Sequence, residues 1–277
     1  MRFYVVRARD ALCWVMGGLM ILFALGVGAG RLMERRELLS AGAEEPAATR
    51  DPAAFTLEVI SVSGGQKKTR RVFLYHTHTC EAYEMDGENR YTPTETWRTA
   101  DQRYSVVRVG AELAEQLTKA GIAVTHDTTD YETPRLSTAY SRSLEGLQRA
   151  AEEGYDLYID LHRDSYSKGN GPNTVSVDGR GAARLLILIG QGTGTGFDEK
   201  PDWQSYAKAA QKISDLLNQR AEGLCRGVSL KSGRYNQQAA TPCMLIEVGN
   251  NKNTLPEALN AVEPLARAIC RYFDETE

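Results

Sequence analysis

The sequence predicts an α/β domain in which helices cover both sides of a mostly parallel sheet. Two observations lead to this prediction. From residue 71 onward, short aliphatic runs typical of buried strands recur along the chain. Amphipathic stretches with helical periodicity separate these runs, and such alternation is typical of parallel sheets. With no internal repeat in the sequence, residues 71–277 are expected to form a single domain.

Five aliphatic runs are the expected strands, and four amphipathic stretches are the expected helices. The strands are RVFLY (71–75), IAVTH (122–126), DLYIDL (156–161), RLLILIG (184–190) and CMLIEV (243–248). The helices are 105–120, 136–153, 203–222 and 255–273. In the first helix, Val106, Val109, Leu113 and Leu117 fall on one face. The fourth begins with TLPE (254–257), whose threonine and glutamate fit a capping box.

A long uncharged segment, ALCWVMGGLMILFALGVGAG (11–30), lies near the N-terminus. At about 1.5 Å per residue it reaches about 30 Å, the hydrocarbon thickness of a bilayer. Because a signal peptide has an apolar core of only about 7–15 residues, we predict one uncleaved transmembrane helix. Cleavage within GVGAG (26–30) is the alternative.

This segment sets the expected organisation of the chain. Residues 1–35 are the predicted membrane anchor, 36–70 an extracytoplasmic stalk, and 71–277 the catalytic domain. The N-terminus is expected in the cytoplasm and the domain outside the cell membrane. The net charge of −3 and the scattered lysines and arginines argue against a nucleic-acid partner.

Polar side chains follow three of the expected strands at their ends. HTHTCE (76–81) follows the first strand, HRD (162–164) follows the third, and Glu247 lies near the end of the fifth. Ligands of an open α/β sheet gather at the carboxyl ends of its strands. We therefore expect these side chains to meet at one edge.

Two histidines and a carboxylate with one open position are the usual ligand set of a hydrolytic zinc site. His78 and His162 are the expected zinc ligands, and His76 is either a third histidine ligand or a neighbour of the site. Glu247 is the expected proton-transferring base, because a carboxylate without a role would be costly in an apolar strand. His126 is interpreted as a structural histidine.

The carboxylate ligand is less firmly defined by the sequence. Glu81 lies three residues beyond His78, and Glu84 and Asp101 are alternatives. Arg163 and Asp164 are expected to orient the strand end or to contact the substrate. A nucleophilic Cys80 is disfavoured, because it would leave the other strand-end groups without a role.

Several of these stretches, in this order, resemble the stage II sporulation protein P family of endospore-forming bacteria. The matching blocks include VFLYHTHTCEAY (72–83), YIDLHRD (158–164), CRGVSLKSGRYNQQ (225–238) and MLIEVGNNKNTLPEA (244–258). The resemblance implies a zinc-dependent N-acetylmuramoyl-L-alanine amidase with the fold of cell-wall amidases. Such enzymes cut the amide between the muramoyl lactyl group and the first L-alanine of the peptide stem. A second activity, cleavage of peptide cross-links, is also implied.

The resemblance also implies roles and partners. It assigns zinc binding to His78 (or His76) and His162, catalysis to Glu247, and a binding or supporting role to Asn250 in the EVGNNKN segment. The residues matched in this family favour Glu81 as the carboxylate ligand of zinc, whereas other cell-wall amidases place this ligand nearer Asp101. Implied partners are peptidoglycan, a sporulation lytic transglycosylase and a membrane protein, acting during engulfment. A non-catalytic peptidoglycan-binding scaffold is the alternative function.

Overall fold

The computed structural model describes residues 69–171, 173–194 and 196–276. The predicted transmembrane helix (11–30), the whole anchor (1–35) and nearly all of the predicted stalk (36–70) lie outside these ranges. Within them, no helix combines the length and the apolar character needed to cross a membrane.

Eight strands and five α-helices follow one another in the described ranges. The strands are β1 (Arg71–Tyr75), β2 (Ala123–His126), β3 (Leu157–Asp164), β4 (Thr174–Val177), β5 (Arg180–Ala183), β6 (Leu185–Gly190), β7 (Cys225–Lys231) and β8 (Cys243–Asn250). The helices are α1 (Val106–Lys119), α2 (Ala139–Glu153), α3 (Trp203–Arg220), α4 (Leu255–Asn260) and α5 (Val262–Asp274). Short 3-10 helices lie at Leu136–Thr138, Lys168–Asn170 and Gln237–Ala239.

Six of these strands form one sheet in the order β2-β1-β3-β8-β6-β7. All neighbouring pairs are parallel except β6 and β8, which are antiparallel. The predicted mostly parallel sheet is thus confirmed. Because β1, β3 and β8 are parallel neighbours, their carboxyl ends lie at the same edge of the sheet.

Helices lie on both sides of the sheet, as predicted, but they cover it unequally. On one face, α1, α3, α4 and α5 bury the main apolar core against β1, β3, β6 and β8. On the other face, Leu147 and Ala150 of α2 pack on aromatic residues of β1 and β3. Further along β3 this second face carries the polar residues Asp160 and His162, since alternate residues of a strand share a face.

The predicted helix 255–273 is divided in two at Ala261. The capping box of Thr254 and Glu257 is present at its start. Pro264 accounts for the break, because proline has no N–H and its ring clashes with the carbonyl four residues earlier. It is accommodated in the first turn of α5, where an N–H has no helical partner.

A two-stranded hairpin of β4 and β5, and strand β7, lie in stretches that the sequence analysis left unassigned. The hairpin turns at Asp178 and Gly179, whose φ angles are 50° and 78°. Positive φ at both central residues is the requirement of a type I′ turn, which Asp-Gly satisfies.

A buried pair of histidines joins β1, β2 and α1. Nδ1 of His76 donates to the carbonyl of Leu161 at 2.8 Å, and the two Nε2 atoms of His76 and His126 are 2.9 Å apart. Burial, reinforced by His126, lowers the pKa of His76 to about 3, so the ring is neutral. Gly110 of α1 makes room for the pair, because a Cβ there would lie 2.6 Å from the His76 ring.

Gly110→Ala is therefore expected to destabilise the domain by about 1–3 kcal/mol, although helix propensity alone would favour alanine by about 1 kcal/mol. The His76 ring cannot yield, because both of its nitrogens are hydrogen-bonded. Urea unfolding measures the effect. Gly181→Ala is the control, since nothing lies within 4 Å of its added Cβ; a stabilising Gly110→Ala would contradict this packing.

Candidate active site

The ends of β1, β3 and β8 bring four of the predicted site residues together. His162 and Glu247 are directly paired across β3 and β8, so their side chains share one face of the sheet. The loop after β1 carries His78 and Glu81 to the same place. The ring centroids of His78 and His162 are 5.3 Å apart, with the rings nearly perpendicular.

Asp160 holds the loop after β1 against β3. Its carboxylate accepts hydrogen bonds from the backbone N–H and the hydroxyl of Thr77, at 2.8 and 2.7 Å. It also makes an ionic contact of 2.8 Å with Nε2 of His162. Burial opposes ionisation of Asp160, but the His162 charge and the Thr77 hydrogen bonds outweigh it and lower the pKa of this carboxyl. Asp160 thus sets the position of both histidine-bearing segments.

His162 lies between two carboxylates. Its second nitrogen, Nδ1, is 3.4 Å from Oε2 of Glu81. Burial disfavours the charged ring, yet Asp160 and Glu81 outweigh this penalty and raise the pKa of His162 well above its usual value. Reciprocally, His162 and Arg163 lower the pKa of Glu81 against the effect of its burial. The site therefore attracts positive charge strongly.

Glu132 orients His78 from the loop that follows β2. Its Oε1 is 3.0 Å from Nδ1 of His78, and it also binds Arg98. Burial opposes ionisation, but hydrogen bonds from His78, Cys80 and Arg98 lower the pKa of Glu132 to about 2. Because a carboxylate can only accept, Nδ1 of His78 carries the proton. The opposite nitrogen, Nε2, therefore carries no proton in the neutral ring.

Glu247 is the one group at this edge whose carboxyl favours the protonated form. Burial raises its pKa to about 8, and the nearby Glu81 and Asp164 charges act in the same direction, against the opposing effect of His162. Its Oε2 atom is buried and, among the described residues, has no hydrogen-bond partner. Since buried polar atoms are nearly always paired, this oxygen marks a place where a proton, water or ligand is held.

The three carboxylates considered as ligands lie in different environments. Glu81 contacts His162, as described. Glu84 instead binds Lys252 and the Trp97 indole. Asp101 pairs with its neighbour Arg103 at the surface. Only Glu81 of these three is placed beside the histidines.

The other predicted residues lie around the site rather than in it. His76 is buried on the other side of the loop, with both nitrogens engaged by Leu161 and His126. Arg163 donates its backbone N–H to Glu81 at 3.1 Å, and so fixes that carboxylate.

Two further predicted residues support neighbouring segments. Asp164 pairs with Arg226 of β7. Asn250 donates to the side chain of Asn173 at 3.1 Å and accepts from the N–H of Lys252. It therefore holds the loop after β8.

Sequence reasoning missed Asp160 and Glu132. A signal existed for Asp160, because it stands two residues before His162 and must share its face of the strand. None existed for Glu132, which lies in an irregular loop 54 residues from His78. Carboxylates that hold ligand histidines are nevertheless typical of zinc sites.

Two donor atoms at the strand ends have the spacing of zinc ligands. Two ligand atoms about 2.1 Å from a tetrahedral ion lie about 3.4 Å apart, and the Nδ1 of His162 and Oε2 of Glu81 are separated by 3.4 Å. His78 would have to move closer, since no set containing it, Glu81 and His162 falls within 4.8 Å among the described residues. The ring of His78 lies with its centroid 5.3 Å from that of His162.

A different cluster, Cys80, Asp130 and Glu132, does have donor atoms within 4.8 Å of one another. Its groups are already engaged, however. Glu132 binds His78 and Arg98, and Asp130 accepts from Thr133. Burial and the Glu132 charge raise the pKa of Cys80 to about 12, so the thiolate that zinc requires is disfavoured.

Fold and site together define an α/β protein with a histidine–carboxylate site at the carboxyl edge of its sheet. The sequence profile of the stage II sporulation protein P family matches residues 34–270. The chain belongs to this family.

The sequence is also similar to an individual member of the family. A stage II sporulation protein P from Bacillus subtilis (strain 168) is 26% identical over 228 residues, which are 77% of this chain and 53% of that protein. The chain thus spans about half the length of this curated relative.

Solved structures were compared as well. An N-acetylmuramoyl-L-alanine amidase from Clostridium difficile 630 is 14% identical, with a TM-score of 0.46 over 76% of this chain and 100% of its own. The CwlD amidase from Clostridioides difficile, solved in complex with the GerS lipoprotein, is 13% identical, with a TM-score of 0.47 over 75% of this chain and 100% of its own.

Replacing Glu132 by Gln is expected to weaken zinc binding by about 10–100-fold, because His78 loses the charge that orients it. A competition titration with a chromophoric chelator measures this affinity. Glu95→Gln is the matched control, since Glu95 also lies by Arg98 but is 70% exposed at its side chain and should contribute little. Equal zinc affinities of Glu132→Gln and wild type would contradict the role given to Glu132.

Glu247 also predicts a pH dependence of stability. Its pKa rises from 4.5 to about 8 on folding. Between these two pH values the folded state keeps a proton that the unfolded state releases, so the free energy of unfolding falls as the pH rises. In chelator-treated protein, wild type should lose stability relative to Glu247→Gln between about pH 5 and pH 8, by a few kcal/mol at most. Urea unfolding at both pH values measures the difference, and parallel changes in the two proteins would contradict a raised pKa.

Proposed function

We propose that this chain is a zinc-dependent N-acetylmuramoyl-L-alanine amidase that cuts peptidoglycan during sporulation. Its family supports a role in sporulation. The observation that carries the catalytic part is the buried Oε2 of Glu247, next to His162, which has no hydrogen-bond partner within the described part of the chain. A structural glutamate in that position would be hydrogen-bonded, whereas a proton-transferring one must keep an oxygen for its reactants.

His78, Glu81 and His162 are the residues that would hold the zinc ion. Glu132 and Asp160 hold the two imidazole rings, and Arg163 holds Glu81, so the ligands are oriented by surrounding groups. Zinc bound there would supply polarisation of the amide carbonyl and a water molecule that ionises near neutral pH.

Glu247 carries the proton in this proposal. The carboxylate takes a proton from water as the water oxygen bonds to the lactyl carbonyl carbon. The C–N bond then breaks and Glu247 gives the proton to the departing alanine nitrogen. A pKa close to neutral suits a group that must both accept and donate. The products are a lactyl carboxylate and a peptide with a free amino end.

The cellular setting is also a proposal. A membrane helix at 11–30 and a linker of residues 36–70 would tether the domain outside the cytoplasmic membrane, within reach of the wall. A lytic transglycosylase and a membrane protein are the proposed partners there, as the family resemblance implies. Cleavage of peptide cross-links is a second proposed activity of the same site.

Glu247→Gln is expected to keep its zinc but lose muropeptide cleavage by about 10²–10⁴-fold, the usual contribution of a general base. Elemental analysis of the purified chain gives the zinc content, and mass spectrometry of released peptides gives the activity. Asp101→Asn is the control and should retain both, because Asp101 is engaged by Arg103. Full activity of Glu247→Gln would remove Glu247 from the mechanism, and a wild type that binds wall without cutting it would favour the scaffold alternative.

A further inference from the structure

A groove of about 550 Å³ opens beside Glu247 on the face of the sheet that α2 leaves uncovered. It extends from β8 across β6 to β7. Its floor contains Leu186, which is paired directly with Glu247, and Leu188, which is paired with Ser229 of β7. Paired residues share a face, so these side chains form one continuous surface that begins at the proposed proton-transferring group.

The charges of this groove are unlike those around His162. Three cationic residues line it, Arg184, Arg226 and Lys231, against the two acidic residues Asp164 and Glu247. Around His162, by contrast, the nearest charged groups are carboxylates. The groove between Glu247 and β7 therefore favours a negatively charged group.

The cations differ in how they are held. The Arg226 guanidinium pairs with Asp164 and is only 14% exposed at its side chain. The Nε of Arg184 donates to the carbonyl of Gly223 at 2.7 Å. Lys231 is exposed, and its ammonium makes no ion pair with any residue in the described ranges. Lys231 is thus the cation with most capacity for a ligand, and Arg226 lines the same groove nearer to Glu247.

The distance from Glu247 indicates which part of a substrate the cations would meet. Neighbouring strands lie about 4.8 Å apart, so Arg226, which lies opposite Leu186, is about 10 Å from Glu247. Lys231 pairs with Gly190, four residues beyond Leu186 along β6. It therefore lies about 16 Å from Glu247. An extended peptide advances about 3.3 Å per residue, so these two distances correspond to about three and about five residues. The leucine side chains that line the groove would pack against short aliphatic side chains of the peptide.

We propose that this groove binds the leaving peptide through a carboxylate carried three to five residues beyond the cut amide, so that acidic stem peptides are preferred over amidated ones. The inference rests on the proposed amidase function, which places the cut amide at Glu247. It adds a substrate class and assigns Lys231, with Arg226 and Arg184, as the residues that select it. A carboxylate accepts charge-assisted hydrogen bonds from these cations, whereas a neutral carboxamide does not.

The test compares two muropeptides that differ only in carrying carboxylates or carboxamides from the third stem residue onward. The purified full chain should cleave the acidic one with about tenfold higher kcat/KM, a ratio that falls with added salt. Lys231→Gln should remove most of this preference by slowing cleavage of the acidic muropeptide alone. Lys208→Gln, the same change on the exposed surface of α3, should leave the preference intact.

Equal cleavage of the two muropeptides by wild type would overturn the proposal, and so would an equal loss for both in Lys231→Gln. If the wild-type chain cleaves neither muropeptide, the proposed amidase function itself has failed. Calorimetric binding of the free acidic and amidated stem peptides then decides the inference. Tighter binding of the acidic peptide that is lost in Lys231→Gln supports the groove, and equal affinities overturn it.

Discussion

The pairing of β3 with β8 sets His162 directly beside Glu247, and the chemistry of the candidate site depends on this register. A shift by one residue would turn the two side chains to opposite faces of the sheet. β1 brings His78 and Glu81 to the same site, because it is parallel to β3 and ends in the loop that carries them. Asp160 then ties this loop to β3 through Thr77. One stretch of parallel sheet thus positions groups that are far apart in sequence.

Burying this many ionisable groups would be costly unless their charges were balanced. The structure balances most of them in pairs: His162 with Asp160 and Glu81, Glu132 with Arg98, and Asp164 with Arg226. Glu247 is the exception, because burial raises its pKa and its charged neighbours, which are mixed in sign, do not offset this effect. In the proposed mechanism, this separation of neighbouring carboxyls into ionised and protonated groups would provide both metal ligands and a proton carrier. The groove towards β7 then adds cations where a peptide would leave.

Much of this arrangement could be predicted from the sequence. RVFLY (71–75) is β1 as predicted, and the polar clusters meet at one sheet edge as expected from their place after buried strands. Two further features are indicated by residues in the sequence. Asp178-Gly179 is typical of a hairpin turn, and Pro264 indicates the break in the last helix. β7 was not predicted because CRGVSLK has no continuous apolar run. The arginine and lysine of the groove were missed with it.

Other features could not be predicted, for physical reasons. His76 and His78 stand two residues apart, yet the chain leaves the extended form after β1 and sends them to different surroundings. Spacing alone also cannot choose among Glu81, Glu84 and Asp101, because the choice depends on how the segment after β1 folds back. Glu132 reaches His78 only through the tertiary packing of a loop without periodicity.

Digestion of purified peptidoglycan by the full chain, with the masses of the soluble products, tests the central claim most directly. The account predicts intact stem peptides with a free L-alanine amino end and glycan strands that keep their length. Products cut only within the glycan, or no products from zinc-loaded protein, would contradict it.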